Sequence, residues 1–235
     1  NAMIRPLIPF GIKGVIWYQG ENNTQHAFRY RELLQLLIND WRELWKSPFS
    51  FLIVQLANYM KRQQQPMESE WAELRESQFK VAACMPNAGM TVSIDIGDAD
   101  DIHPTDKASV GERLSLLARH VAYGEKISCY GPTLESYLLK GNSIRVKFGH
   151  ADNGLVVKGG GALKGFAVAG VDREFHWANA RVDGDCVEVS SPDVAFPVAV
   201  RYAWGDNPEC NLYNGVGLPA VPFRTDEWKG LTVDR

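Results

Sequence analysis

A change of period along the chain is the sequence feature that most constrains the fold. Up to about residue 127, short continuous apolar runs alternate with helical stripes, and from about residue 128 apolar and polar residues alternate one by one. Continuous runs are typical of strands buried on both faces of a parallel sheet, and alternation is typical of half-buried antiparallel strands. The sequence therefore predicts an α/β domain over residues 1–127 and an all-β domain over residues 128–235.

The first part repeats a strand followed by a helix. The apolar runs at residues 14–18, 51–56 and 90–94 predict three strands buried on both faces. The helical stripes between and after them are Tyr30, Leu34, Leu37, Trp41 and Leu44; Trp71, Leu74, Gln78 and Val81; and Val110, Leu114, Leu117 and Val121. Strands and helices in alternation predict a layered α/β domain with right-handed crossovers.

The second part carries the signals of short antiparallel strands. Residues 143–148 and 186–189 alternate between apolar and polar side chains. The dipeptide Asp183-Gly184 predicts a tight hairpin, and residues 140–142 predict a second turn. Several short strands with frequent turns predict a β-sandwich or a jelly roll.

Composition and charge exclude several classes of protein. A net charge of −3 without a basic cluster argues against a nucleic-acid partner, and no run of eighteen apolar residues exists for membrane insertion. The four cysteines lie far apart without a C-x-x-C spacing, so neither zinc nor a redox motif is indicated. The sequence predicts no metal and no cofactor, and it leaves open whether one disulfide forms.

A polar segment directly follows the first predicted strand. It consists of Gln19, Gly20, Glu21 and Asn22. A glycine N–H that a substrate can approach closely, next to side-chain amides, can donate hydrogen bonds to a developing oxyanion. Such a segment can equally be a polar turn in which an asparagine caps the next helix.

The loop after the third predicted strand, residues 95–104, contains a candidate acid–base pair. Asp100 lies three residues before His103, a spacing that lets the carboxylate turn back and orient the imidazole. His103 can also be an ordinary surface histidine. A calcium loop is disfavoured because the EF-hand spacing and its closing glutamate are absent. After the second strand, Asn58 is expected at the same rim, and the buried-side Arg75 is expected to need polar partners.

Several segments together resemble the sialate O-acetylesterase family of the SGNH/GDSL hydrolase superfamily. The resemblance covers nearly the whole chain. The segments that carry it are residues 12–21, which contain Gln19-Gly20-Glu21, residues 95–98 and 101–104, residues 198–204, residues 211–214 and residues 218–225.

The resemblance implies an SGNH-hydrolase-like three-layer α/β domain with a parallel sheet, followed by the all-β domain. It also implies hydrolysis of acetyl esters on sialic acid or other acetylated sugars by a Ser-His-Asp mechanism. His103 would be the general base, with Asp100 or its neighbour Asp101 as the orienting carboxylate. Gln19, Gly20 and Glu21 would belong to the oxyanion block. Asn22 stands where superfamily members often carry an asparagine and relatives in this family often a serine.

The chain departs from the family pattern at the nucleophile. The family's serine precedes the oxyanion block, yet no serine occurs before Gln19. We therefore expect the chain to be the C-terminal part of a longer enzyme, with the parallel sheet N-terminally incomplete. Loss of a triad serine lowers kcat on the order of 10⁶-fold, so the isolated chain is expected to be nearly inert. The missing N-terminal part, or a second copy in a homo-oligomer, is expected to cover the open sheet edge.

Two other interpretations compete with the hypothesis of an active enzyme. In one, Trp177, Trp204 and Tyr213 of the second part are exposed and stack on sugar rings, which would make the chain a carbohydrate-binding or accessory module; those aromatic residues can also form the core of the sandwich. In the other, the chain is a truncated pseudoenzyme. The resemblance implies a periplasmic or secreted location.

Overall fold

The computed structural model describes residues 2–235 and contains the predicted three-stranded parallel sheet. Strands β1 (Gly14–Trp17), β2 (Ser50–Val54) and β3 (Ala88–Thr91) lie in the order β1-β2-β3. Both pairings are parallel, so the carboxyl ends of all three strands lie at one edge. The three predicted strands are confirmed, each within a few residues of its predicted bounds.

Three helices cover this sheet from both sides. Helices α1 (Ala27–Trp45) and α2 (Glu70–Cys84) share a buried cluster with Phe51 and Ile53, whereas α3 (Lys107–Val121) packs on Leu52. Successive residues of a strand point to opposite faces, so α1 and α2 lie on one face and α3 on the other. The stripe predicted for α2 is entirely buried.

The predictions for α1 and β1 need correction. Leu44 near the end of α1 is exposed, and Ile38 is buried in the core instead. Strand β1 is not buried on both faces, because it forms the end of the sheet and its Ile16 is 67% exposed. Ile16 lies beside Leu52 in the register, but α3 packs on β2 and β3. The face around Ile16 is therefore uncovered by the residues described.

The second part forms the predicted antiparallel sheets. One sheet has the order β4 (Thr133–Lys140), β5 (Ser143–Gly149), β10 (Cys186–Ser190), β9 (Asn179–Asp183), and the other has the order β13 (Phe223–Arg224), β11 (Ala199–Tyr202), β7 (Phe166–Ala169), β8 (Phe175–Trp177). A small sheet pairs β6 (Leu155–Val157) with β12 (Leu212–Asn214). The rings of Phe148 and Phe223 lie 5.8 Å apart, so the two larger sheets face each other across a shared core.

The hairpin predicted at Asp183-Gly184 is confirmed. It joins β9 to β10, and Gly184 has φ +65°, a conformation that glycine adopts without steric cost. The alternation predicted over residues 143–148 is confirmed as well, because the apolar members Ile144, Val146 and Phe148 are buried on β5.

The two parts are joined by buried polar contacts. Arg224 binds Glu76 with two hydrogen bonds of 2.9 and 3.1 Å, and Thr232 reaches the carboxylate of Glu73. The segment between α3 and β4 contains the boundary predicted at residues 127/128, and the division into two domains stays a prediction.

All four cysteines are free thiols, so the disulfide that the sequence left open does not form. Within residues 2–235, no helix combines the length and the apolar character that a bilayer crossing requires.

Candidate active site

The segment after β1 forms a tight turn at the carboxyl edge of the sheet. Gly20 has φ +151°, and a Cβ at this position would lie 2.6 Å from Cδ2 of Leu74. A residue other than glycine would therefore have to displace the Leu74 side chain and adopt a strained backbone conformation. In the part of the chain that the structure describes, neither the Gly20 N–H nor the side chain of Asn22 makes a hydrogen bond. Asn22 is exposed, so its amide is available to an incoming group, whereas Gly20 is buried in this structure.

The side chain of Gln19 stabilises this turn through hydrogen bonds. Its Nε2 donates to Oδ1 of Asn23 at 2.7 Å, and its Oε1 accepts a bond from the hydroxyl of Tyr30 at 3.1 Å. Glu21 is half-buried and begins a short 3₁₀ helix, Glu21–His26. The alternative of an asparagine cap for α1 is wrong, since the capping position is His26 and no side chain bonds there.

The loop after β3 begins with a buried ion pair. Asp95 accepts bonds from Nη1 and Nη2 of Arg113 at 2.6 and 2.7 Å and from the hydroxyl of Tyr213 at 2.7 Å. Burial acts to raise the pKa of the Asp95 carboxyl, but the hydrogen bonds and charge of Arg113 outweigh it and lower that pKa. The pKa of Tyr213 is raised, first by burial and then by the Asp95 charge. The start of the loop is therefore fixed to both α3 and β12.

Asn58, which follows β2, holds the middle of the same loop. Its Oδ1 accepts the backbone N–H of Gly97 at 2.7 Å, and its Nδ2 donates to Oδ1 of Asn207 at 2.8 Å. A Cβ on Gly97 would lie 2.0 Å from the carbonyl oxygen of Asn58, so the close approach of the two chains requires glycine. The prediction that Asn58 belongs to this rim is confirmed.

His103 lies at the open end of the loop, with its side chain 86% exposed. Its Nδ1 is 3.4 Å from Oδ1 of Asp101, which also accepts the backbone N–H of His103 at 2.8 Å. The backbone N–H of Asp100 instead donates to Oδ1 of Asp98 at 2.9 Å. The D-x-x-H spacing favoured Asp100, but Asp101 is the carboxylate beside the imidazole.

The loops after β1 and β3 lie at the same edge of the parallel sheet, but their candidate site residues do not bond each other within residues 2–235. Lys107, at the start of α3, lies over the ring of Tyr18 with its Nζ 5.4 Å from the ring centroid. Within residues 2–235, no hydrogen bond or ion pair joins His103 to residues 19–22. Any cooperation between the two loops therefore requires a substrate or another chain segment between them.

Two buried polar side chains of α2 fix the ends of the strands. Nε2 of Gln78 donates to the carbonyl oxygen of Gln19 at 3.1 Å, and Oε1 accepts the backbone N–H of Leu56 at 2.9 Å. Arg75 donates to the carbonyl oxygens of Leu56 and Ala57, each at 2.8 Å. Burial lowers the pKa of Arg75 to about 9. Arg75 therefore has the polar partners that its burial was expected to require, and within residues 2–235 all of them are backbone carbonyl oxygens.

Several residues of this site were missed by reasoning from the sequence. The partners Tyr213 and Asn207 belong to the second part of the chain, 118 and 149 residues from Asp95 and Asn58. No local pattern predicts such contacts. Among residues 2–235 no three histidine, cysteine, aspartate or glutamate side chains converge as metal ligands.

A cavity of about 400 Å³ adjoins this edge. Its lining includes Asn58 and Asp95, which hold the His103 loop, together with Lys158, Tyr213 and Glu209. The cavity is mostly polar in its lining residues, so it suits a hydrophilic ligand.

Comparisons of the chain with known proteins agree with one another, because all of them find esterases. Residues 2–119 match the family described as "Carbohydrate esterase, sialic acid-specific acetylesterase". The mouse and human sialate O-acetylesterases are 33% and 32% identical to the chain, and each alignment covers 95% of this chain but only 46% and 47% of the relative. A crystal structure of a carbohydrate acetylesterase from Xanthomonas citri is 48% identical with a TM-score of 0.91, over 96% of this chain and 53% of that one.

All of these relatives are named as acetylesterases. The class of protein to which this chain belongs is therefore that of the carbohydrate esterases. The chain belongs to the sialic acid-specific acetylesterase family. It spans about half the length of the curated relatives that it matches.

Proposed function

We propose that this chain is part of an acetylesterase that removes O-acetyl groups from sialic acid or other acetylated sugars. The observation that carries the proposal is the contact of Asp101 with both Nδ1 and the backbone N–H of His103, at 3.4 and 2.8 Å. A carboxylate at Nδ1 favours the tautomer whose Nε2 is free to accept a proton. His103 would therefore act as general base through Nε2.

The proposed reaction proceeds through an acetyl-enzyme. A serine hydroxyl attacks the acetyl carbonyl carbon while Nε2 of His103 takes the hydroxyl proton. The Gly20 N–H and the Asn22 amide, both without partners within residues 2–235, would face the negative oxygen of the tetrahedral intermediate. The bond to the sugar oxygen breaks, and His103 returns the proton to that oxygen. Water then attacks the acetyl-serine while His103 takes a proton from it, and His103 returns that proton to the serine oxygen as the acyl bond breaks and acetate leaves.

We propose that the nucleophilic serine comes from polypeptide outside these 235 residues. Serines near this edge have other roles: Ser93 is buried and its Oγ donates to the carbonyl oxygen of Gln55. Ser69 caps α2 and donates to Oδ1 of Asp206 at 2.6 Å. The 86% exposure of the His103 side chain supports the same proposal, because a general base works best in a site shielded from water.

The free edge of β1 offers a place for that additional polypeptide. Strand β1 ends the parallel sheet as described, and Ile16 is 67% exposed on the face that α3 leaves open. We propose that the segment carrying the serine adds to this edge and covers Ile16. A second copy of the chain is the alternative occupant, and a monomeric elution volume of this chain in size-exclusion chromatography would argue against it.

The test compares this chain with a longer protein that contains it. A fluorophosphonate probe, which labels activated serines, and acetate release from p-nitrophenyl acetate are measured on both. We expect neither labelling nor hydrolysis above background for the 235-residue chain, and both for the longer protein. A chain that is labelled and active alone would refute the external serine, and a longer protein that lacks both signals would favour the pseudoenzyme.

Replacing the base tests the residue assignment within the longer protein. His103→Ala is expected to lower kcat/KM by about 10²- to 10⁴-fold, the usual contribution of general base catalysis. His120→Ala is the matched control, because His120 lies on α3 and its Nδ1 bonds the carbonyl oxygen of Glu125 at 2.9 Å. Unchanged turnover in the His103 variant would refute the proposal.

The alternative of a carbohydrate-binding module receives little support from the aromatic residues. Trp204 and Tyr213 are buried, with 6% and 5% of their surface exposed, so neither can serve as an open stacking platform. Trp177 is 40% exposed and differs from them in this respect.

A further inference from the structure

A second cavity, of about 520 Å³, lies between the loop that follows β2 and the second part of the chain. The aromatic residues of its lining are Trp177, Trp204 and Phe166, and its polar residues include Gln63, Asn179 and Lys164. We call it the seam cavity. Aromatic rings next to amides and charged side chains are the combination that binds the apolar face and the hydroxyls of a sugar.

Trp177 is exposed yet fixed in orientation. Its indole Nε1 donates to the carbonyl oxygen of Gln64 at 2.9 Å, across 113 residues of sequence. The ring is therefore anchored at its polar end while 40% of its surface stays open. A ring that is already ordered loses little conformational entropy when a ligand stacks on it, which favours binding.

The rim of the seam cavity carries an ion-pair triad. Oε1 of Glu209 is 2.6 Å from Nζ of Lys164 and 3.5 Å from Nη1 of Arg62. All three side chains are about half exposed or more, so their remaining donor and acceptor sites are open to hydroxyl groups.

The same triad joins the seam cavity to the candidate active site. Arg62, Lys164 and Glu209 also line the cavity of about 400 Å³ that Asn58 and Asp95 border. Asn58 and Asp95 hold the loop that carries His103. The two cavities are therefore neighbours that share these three side chains, and the smaller one borders Asp95 at the start of the His103 loop.

We propose that the seam cavity is a second sugar subsite, in which a pyranose ring of the substrate oligosaccharide stacks on Trp177. The acetylated sugar lies nearer the His103 loop, and the next sugar of the same chain occupies the seam cavity. The placement of the acetylated sugar rests on the proposed function; the binding of a sugar ring at Trp177 does not require hydrolysis.

The proposal is tested by binding of two unacetylated probes, 3′-sialyllactose and xylotetraose, to the 235-residue protein. Isothermal titration calorimetry is performed on the wild type, Trp177→Ala, Trp177→Phe and Trp45→Ala. Trp45 is the matched control, because its indole Nε1 also donates to a backbone carbonyl oxygen, that of Phe10 at 3.0 Å, but it lies outside the cavity.

We expect at least one probe to bind, and the probe that binds identifies the class of glycan. Trp177→Ala should weaken binding about tenfold or more, which corresponds to the loss of a stacked ring. Trp177→Phe should retain part of the affinity, and Trp45→Ala should bind like the wild type. Absence of binding of both probes to the wild type, or equal affinity of Trp177→Ala, overturns the proposal.

A measurement on the wild type removes any dependence on folding of the variants. N-bromosuccinimide oxidises exposed indoles, and peptide mass mapping reports the reaction at each tryptophan. The bound oligosaccharide should protect Trp177 and leave the oxidation of Trp45 unchanged; equal oxidation of Trp177 with and without the oligosaccharide overturns the proposal. Because neither measurement uses ester hydrolysis, failure of the esterase proposal and failure of this subsite give different results.

Discussion

Nη1 of Arg75 on α2 donates to the carbonyl oxygen of Gly205 at 2.6 Å, across 130 residues of sequence. The guanidinium is completely buried and also bonds the carbonyl oxygens of Leu56, Ala57 and Asp206. A buried charge that is satisfied by several carbonyl oxygens fixes the chain segments around it. Arg75 therefore connects α2, the end of β2 and the loop that contains Gly205 and Asp206.

Arg75→Ala should lower the free energy of unfolding by about 3 kcal/mol or more, because it leaves buried carbonyl oxygens without donors. Urea denaturation followed by circular dichroism measures the change. Arg29→Ala is the control, because Arg29 is exposed on α1 and should change stability by less than about 0.5 kcal/mol. Equal midpoints for the two variants would contradict the structural role of Arg75.

Asp101→Asn should impair the proposed esterase more than Asp100→Asn. Asp101 contacts His103 and Asp100 does not, so only the first substitution removes the charge that stabilises the imidazolium. In the longer protein we expect kcat/KM to fall about 10²-fold or more for Asp101→Asn and less than about threefold for Asp100→Asn. A reversed order would assign the orienting role to Asp100, as the D-x-x-H spacing suggested.

Asn58→Ala should loosen the loop that carries His103. The substitution removes the acceptor of the Gly97 N–H and the donor to Asn207. Hydrogen–deuterium exchange of peptides covering residues 95–103 should become faster, while exchange in α1 stays unchanged. Asn39→Ala, an exposed position on α1, is the control, and equal exchange in both variants would show that Asn58 does not hold the loop.

Asp95→Asn should change the acid sensitivity of folding. Arg113 lowers the folded-state pKa of Asp95 below its ordinary value of 3.8, so the carboxylate stabilises the fold above pH 3.8. That contribution is lost as the pH falls through the lower folded-state pKa. The variant should therefore be less stable at pH 7, with a smaller further loss between pH 4 and about pH 2.

Urea denaturation at a series of pH values tests this prediction. Asp40→Asn is the matched control, because Asp40 is exposed on α1 and forms no ion pair within residues 2–235. If the pH dependence of the Asp95 variant equals that of the wild type, the ion pair with Arg113 does not contribute to stability.

Local sequence patterns predicted the helices and hairpins, because the formation of these elements depends on residues close together in the chain. Trp71, Leu74, Gln78 and Val81 recur at helical spacing, and the same residues form the buried side of α2. The hairpin at Asp183-Gly184 likewise follows from the conformational freedom of glycine. The prediction failed at β1, where burial depends on what lies beside the strand and not on its own sequence.

The candidate site could be predicted only in part. The resemblance to a family of acetylesterases pointed to residues 19–22 and to His103, and the family is confirmed by the matches. The spacing Asp100-x-x-His103 did not predict that Asp101 would be the neighbour, because a two-residue turn brought Oδ1 of Asp101 to the backbone N–H of His103. Turn geometry of this kind depends on the whole loop.

The sequence by itself determined the alternation of strands and helices, the antiparallel second part and the family of this protein, because each depends on residues close together in the chain or on motifs kept intact. Only the tertiary structure decided that Asp95 bonds Tyr213, that Trp204 is buried while Trp177 stays open, and that Asn58 holds the His103 loop. The physical reason is that these contacts join segments far apart in sequence, and packing of the whole core sets which of them meet.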